Sequence, residues 1–396
     1  MSTAKVVAAA VQAAPVFLDR DATVDKAFRL MKEAAASGAG LVVFPEAFVP
    51  GYPDWVWRTI PWSDRDWYER LYDQAVEVPG PATEALGTAA AEASVYLAIG
   101  VNERDGGTLY NTLLFFAPDG SLLGKHRKLM PTGGERLVWG QGDGSGLVVF
   151  DTPFGRLGGL MCWENYMPLA RAALYALGID IYLAPTWDNS DVWVPTLRHI
   201  ATEGRVYVMG VNFCMRGSDV PRDLPGAEEI YGGDDDWLAR GNTTICGPEG
   251  DVLAGPLEAT EGIVYAEIDA DHARKVRRQF DPVGHYSRSD ILRLVVDLEA
   301  KPPALARQTD EPAFRGRRES TWGPPGSLWS APSTRDPGTA RSRATARPSA
   351  SVHAVTLQTA EWSPDWESLG NQLGPTERTR THSVDSVGCV TWTFDH

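Results

Sequence analysis

Through about Leu298 the chain alternates short apolar runs with segments whose apolar residues recur at helical spacing, which confines it to the α/β class. Residues 5–12 read as a buried first strand. The spacing predicts a helix over 23–36, with Val24, Ala27, Phe28, Met31 and Ala35 on one face. A strand over 41–45 comes next, then a helix over 82–93 and a wholly apolar strand over 95–101. Further strands are predicted at 157–162, 179–184, 205–211 and 263–268, with helices over 168–177 and 192–203. Continuous apolar strands suit a sheet covered on both faces. Two hairpins interrupt the βα rhythm: 113–117 turns through Pro118-Asp119-Gly120 into 122–125, and 243–246 turns through Pro248-Glu249-Gly250 into 251–255. Proline presets φ and glycine accepts a positive one, so both tripeptides are turn signals. The expected architecture is a mixed sheet with helices outside, repeated on a second sheet packed behind it.

The character changes near Pro302. Residues 301–350 carry eight prolines and nine Lys/Arg with no apolar periodicity, and the remainder is Ser/Thr-rich with scattered tryptophans. The chain therefore divides into a folded domain over 1–300 and a Pro/Arg/Ser-rich tail over 301–396. Disorder is predicted from 305 onward, because this stretch buries too little apolar surface to offset chain entropy.

A net charge of −15 argues against non-specific nucleic-acid binding, which needs a basic footprint. No apolar run approaches the roughly 18 residues of a membrane span. The alanine-rich start is similar to a secretion leader, but a lone Lys5 makes a thin charged region, and the buried-strand reading is preferred. Cys162, Cys214, Cys246 and Cys389 form no CxxC or zinc-like spacing, so a reduced, cytoplasmic protein without a metal site is expected.

Three apolar runs end on reactive side chains. Leu41-Val42-Val43-Phe44-Pro45 leads to Glu46, Lys128 follows the second strand of the first hairpin, and Gly159-Leu160-Met161 leads to Cys162. Strand ends are where open α/β sheets present chemistry to solvent. A thiol needs a base or cation to become a strong nucleophile. Glu46 could take the proton, and Lys128 could stabilise an anion developing on a substrate atom. Each residue also has a plainer reading: Cys162 as a core cysteine, Glu46 as a loop cap, Lys128 as a solvated surface lysine.

The motifs around these residues decide between the readings. Phe44-Pro45-Glu46-Ala47-Phe48-Val49-Pro50-Gly51-Tyr52-Pro53, His126-Arg127-Lys128-Leu129-Met130-Pro131-Thr132 with Glu135-Arg136, and Cys162-Trp163-Glu164 together resemble the nitrilase family of the carbon–nitrogen hydrolase superfamily. The resemblance covers about residues 5–298. Pro185-Thr186-Trp187-Asp188 and the segment Asp281–Arg288 extend it, and the tail has no counterpart. It implies a four-layer αββα sandwich and a catalytic domain over 1–300. Glu46 would be general base, Lys128 would stabilise the tetrahedral intermediate, and Cys162 would be the nucleophile. Glu135 would position substrate or water.

The implied reaction converts a small nitrile to acid and ammonia through cysteine-bound thioimidate and thioester, with no metal or organic cofactor. Tyr52, Trp55, Trp163, Tyr166 and Trp187 are the candidates to wall the substrate pocket, against the plainer reading that they pack the core or subunit contacts. Family members associate, so a homo-oligomer of dimers, extending to spiral filaments, is expected. Alternatives are an amidase with the same triad, a specialised cyanide or β-cyanoalanine hydrolase, a Cys–His hydrolase using His126, His199 or His285, and an inactive assembly protein on the same fold.

Overall fold

The computed structural model describes residues 3–302 and the two short segments 382–384 and 390–392. The predicted disorder over 305–396 therefore lies outside the described residues. The exceptions are His382–Val384 and Val390–Trp392, which pair antiparallel.

Thirteen strands and seven helices follow in chain order within 3–302: β1 Val6–Gln12, α1 Arg20–Ala36, β2 Leu41–Val43, α2 Arg65–Gln74, α3 Pro81–Ala93, β3 Tyr96–Asp105, β4 Thr108–Phe116, β5 Leu122–Arg127, β6 Val149–Thr152, β7 Gly155–Gly159, α4 Pro168–Ala176, β8 Ile181–Thr186, α5 Trp193–Gly204, β9 Tyr207–Asn212, β10 Cys214–Arg216, α6 Ala227–Tyr231, β11 Trp237–Cys246, β12 Val252–Glu258, β13 Gly262–Ile268 and α7 Ala270–Val276. One sheet runs β13-β1-β2-β3-β4-β5. The other runs β10-β11-β9-β8-β7-β6, with β12 on β11. Both are mixed: β1, β2 and β3 are parallel neighbours, as are β7, β8 and β9, and the remaining pairs are antiparallel.

The strand period of two builds the layers. In β1, Ala8 and Ala10 belong to the buried cluster between the sheets that includes Leu183, Met209 and Ile245, whereas Ala9 and Val11 belong to the cluster containing Val24, Ala27 and Met31 of α1. In β8, Ile181 and Leu183 face the first sheet, while Tyr182 and Ala184 pack with Leu174 of α4 and Leu197 of α5. Helix, sheet, sheet, helix is the four-layer sandwich expected. Leu183 is fully buried between the sheets, and truncating such a residue to alanine costs about 2–5 kcal/mol.

Boundaries differ from expectation for local reasons. α1 starts at Arg20 because Asp19 caps it, accepting a 3.0 Å hydrogen bond from the Ala22 amide. The predicted strand 157–162 stops at Gly159. Cys162 has left the strand, and it opens a short 3₁₀ turn over Cys162–Tyr166 with φ of 50°. α2 buries only Trp67 and Leu71, too few apolar positions to announce a helix. Among the described residues no helix is long and apolar enough to cross a membrane.

Candidate active site

The candidate residues lie where strands of both sheets end. Glu46 follows β2, Lys128 follows β5, and Cys162 lies beyond β7. Two close approaches fix the first and last of these. A Cβ at Gly100 of β3 would stand 2.4 Å from Pro45 O and Ala47 N, the atoms flanking Glu46. A Cβ at Gly159 would stand 2.3 Å from Leu183 O of the adjacent strand. Neither position admits a side chain without displacing backbone. Ala47 and Cys162 both take left-handed φ, 49° and 50°, at a strain of about 1–2 kcal/mol each.

Lys128 is wholly buried. Its Nζ donates to Glu46 Oε1 at 2.7 Å and to Glu135 Oε2 at 2.8 Å. Glu46 also accepts from Asn111 Nδ2 at 2.7 Å and, through Oε2, from the Trp187 amide at 3.1 Å. Glu135 accepts from Tyr52 Oη at 2.6 Å and from the Thr132 amide at 2.6 Å. The Tyr52 oxygen in turn accepts from Trp57 Nε1 at 3.0 Å. Two buried carboxylates thus share one ammonium, with every oxygen receiving a donor.

These contacts set the protonation states. Burial pulls Lys128 down, but Glu46, Cys162 and Glu135 outweigh it and hold the ammonium above the usual lysine range. Burial raises the Glu46 carboxyl above its ordinary value against the opposing pull of Lys128, which makes it a stronger proton acceptor. Burial and then the Glu46 charge push the Cys162 thiol well above the usual thiol range, although Lys128 and a hydrogen bond with Thr186 oppose them. Both shifts favour a neutral Cys162 thiol and a basic Glu46 carboxyl within one charged cluster.

A cavity of about 840 Å³ opens onto this cluster, lined by Tyr52, Trp57, Glu135, Cys162, Trp163, Trp187 and others. Tyr52 stacks on Trp187 with centroids 4.8 Å apart and planes 7° apart. Trp163 is half-exposed at the rim, and its Nε1 donates to Asp188 Oδ2 at 2.9 Å. Of the five aromatic residues expected to wall the pocket, Tyr52, Trp163 and Trp187 are at the cavity and two are not. Trp55 is fully buried in the core between Phe17 and Trp67. Tyr166 turns away onto Trp193 and Thr196, on the far side of Trp163.

The structure adds participants that the motifs did not single out. Trp57 and Asn111 bond directly to Tyr52 and Glu46. Glu164 is buried with its carboxylate on the Met161 amide at 2.8 Å and the Leu129 amide at 2.6 Å, and His126 Nε2 lies 3.0 Å away. His126 and Glu164 were visible in the same motifs as Lys128 and Cys162, but nothing in their spacing gave their partners. His126 is thereby engaged with a carboxylate, not with the thiol.

The family profile described as carbon–nitrogen hydrolase matches residues 7–278. The chain is 49% identical over 305 residues to an aliphatic nitrilase of Sinorhizobium fredii, covering 76% of this chain and 98% of that protein. It is 44% identical over 322 residues to a bifunctional nitrilase/nitrile hydratase of Nicotiana tabacum, covering 79% and 92%. Among solved structures, Saccharomyces cerevisiae Nit3, a member of branch 10 of the nitrilase superfamily, aligns with a TM-score of 0.56 at 22% identity. That alignment covers 72% of this chain and 97% of Nit3, and supports the fold alone.

Proposed function

The chain belongs to the carbon–nitrogen hydrolase family, and on that footing we propose that it is a nitrilase, hydrolysing an organic nitrile to the carboxylic acid and ammonia. The observation that carries this reading is the buried Glu46–Lys128–Glu135 network set against Cys162 at the wall of an aromatic cavity. The identity to proteins named nitrilases gives the substrate class.

The Cys162 sulfur attacks the nitrile carbon as its proton passes to Glu46 and on to the nitrile nitrogen, leaving a thioimidate. A raised carboxyl is suited to both halves of that transfer. Water then adds to the thioimidate carbon, giving its proton to Glu46, and Lys128 offsets the charge of the tetrahedral adduct. The nitrogen leaves as ammonia with the proton returned by Glu46. A thioester remains, and a second water, deprotonated in the same way, releases the acid and restores the thiol. Collapse of the adduct with sulfur as the leaving group would release an amide instead, the branch that the name of the tobacco relative describes. In this scheme Glu135 holds Lys128 and Tyr52 in place beside the substrate and water. Tyr52, Trp163 and Trp187 shape the space for the nitrile substituent.

The same reading extends to a catalytic domain over 1–300, a homo-oligomer, and a reducing, cytoplasmic setting in keeping with free Cys162, Cys214 and Cys246. A chain ending at residue 302 would then keep its turnover. The test is ammonia release, with acid and amide quantified separately, across phenylacetonitrile, benzonitrile, mandelonitrile and an aliphatic dinitrile. Turnover abolished by Cys162→Ala supports the reading. Hydrolysis of amides with no nitrile consumed moves the chain to an amidase.

A further inference from the structure

We infer that His126 is a positioning residue of this site that acts as a doubly protonated imidazolium, clamping the lysine-bearing and cysteine-bearing segments through Glu164. The inference rests on the reading of Cys162 and Lys128 as reacting groups. Its starting point is that both ring nitrogens face acceptors. Nδ1 lies 2.9 Å from the Gly146 carbonyl oxygen, and Nε2 lies 3.0 and 3.2 Å from the two Glu164 oxygens. Neither partner has a proton to give when Glu164 is ionised, so a neutral ring would turn a lone pair toward one of them. Both side chains are buried, 1% and 0% exposed, and water does not reach them to repair that clash.

Glu164 carries the effect to the chemistry. Its carboxylate takes the amide of Leu129, the residue after Lys128, and the amide of Met161, the residue before Cys162. One buried anion therefore holds the two catalytic segments, and His126 supplies the charge and the third donor that keep it ionised. Burial works against the charge of each partner, but the pairing outweighs it: His126 is raised and Glu164 is lowered.

The surrounding charged groups are committed elsewhere. Lys125 and Arg127, on either side of His126 in β5, reach Glu103, and Lys128 reaches Glu46 and Glu135. Asp143, three residues before Gly146, accepts from Ser145 and from the Lys301 amide. From α4, Arg171 donates to the Asn165 carbonyl, and from β8, Tyr182 donates to the Asn165 side chain. Among the described residues Glu164 is the ionised group in contact with the ring.

As pH rises through the raised His126 titration, one ring donor is lost, Glu164 loses its counter-charge, and the elbow carrying Cys162 loosens. A displacement of about 1 Å at reacting atoms costs on the order of 10²-fold in rate. The experiment uses the full chain with ¹⁵N-labelled histidine. At neutral pH two downfield imidazole N–H signals are expected from one ring, both absent in His126→Gln. With increasing pH, one of them should vanish in step with kcat. In His126→Gln, kcat falls about 10²-fold with KM changed far less, and the alkaline decline is gone because glutamine does not titrate. Should that variant fail to fold, the parallel loss of the N–H signal and of kcat in the wild-type chain decides the matter. A single N–H on the ring at neutral pH overturns the inference, as does a His126→Gln enzyme that keeps the wild-type alkaline decline. Failure of the nitrilase reading would appear separately, as a wild-type chain with an intact imidazolium and no nitrile turnover.

Discussion

Lys128→Met tests whether the two carboxylates of the site depend on one ammonium. Methionine keeps most of the side chain's volume and removes the charge, so Glu46 and Glu135 are left buried together with only neutral donors: Asn111, Trp187, Tyr52 and Thr132. Removing one partner of a buried pair costs about 3–5 kcal/mol. At roughly 2–4 °C per kcal/mol, the melting temperature near neutral pH should fall by about 6–20 °C. The pH dependence carries the diagnosis. Burial already raises Glu46, and without Lys128 its folded pKa rises further above the unfolded value. A carboxyl raised in the fold destabilises it when ionised, and that penalty fades as pH falls and the proton is taken up. Each pH unit traversed this way returns about 1.4 kcal/mol per proton. The deficit of the variant should therefore shrink as pH falls through the raised Glu46 titration toward the ordinary carboxylate range, as followed by calorimetry of both proteins at each pH. A variant melting within about 2 °C of wild type at the higher pH, or a deficit indifferent to pH, would refute the reasoning. Lost turnover is expected on any reading and decides nothing.

Tyr52→Phe removes the hydroxyl that donates to Glu135 while keeping the ring stacked on Trp187. A buried hydrogen bond to a charged group contributes about 1.5–3 kcal/mol, so kcat/KM should drop about 10–100-fold, and steady-state kinetics showing no change would contradict that role. Trp163→Ala opens the rim of the cavity and cuts its bond to Asp188, so kcat/KM for bulky nitriles should rise relative to small ones; an unchanged ranking across a nitrile panel would remove Trp163 from the specificity wall. Alkylation of Cys162 by iodoacetamide in the free protein should keep accelerating beyond about pH 9, because its thiol is raised above the ordinary range. A rate that levels off near neutrality would mean a preformed thiolate. His126 also bears on stability: its raised folded pKa stabilises the fold fully below the unfolded imidazole value, and that contribution is lost as pH rises through the folded one.

The layers were legible because apolar runs and helical spacings are local. β1, β3, β8, β9, α3 and α5 lie within a few residues of their expected ranges. Glu46, Lys128 and Cys162 were legible as a set because each follows such a run in a distinctive motif, and Glu135 because it lies in the motif of Lys128. Their surroundings were not. Trp187 reaches Glu46 across 141 residues and Tyr52 reaches Glu135 across 83, separations that no periodicity encodes. Trp55 shows the converse. It stands three residues from Tyr52, yet the 3₁₀ turn over Asp54–Trp57 sends its ring into the core and leaves Trp57 at the cavity. Proximity in sequence to a functional residue did not determine which way either indole points.

The positions where backbone passes backbone have a consequence for any substitution map of this enzyme selected on activity. Gly100 and Gly159 have no side chain to protonate, yet a Cβ at Gly100 would stand 2.4 Å from the atoms flanking Glu46, and one at Gly159 would stand 2.3 Å from Leu183 O, on the strand beside the one that leads to Cys162. Such a map would score both as severely as the proposed Glu46, Lys128 and Cys162 triad and would draw the active site too wide. Mapping by abundance as well as by activity would separate residues that perform the reaction from those that leave room for it.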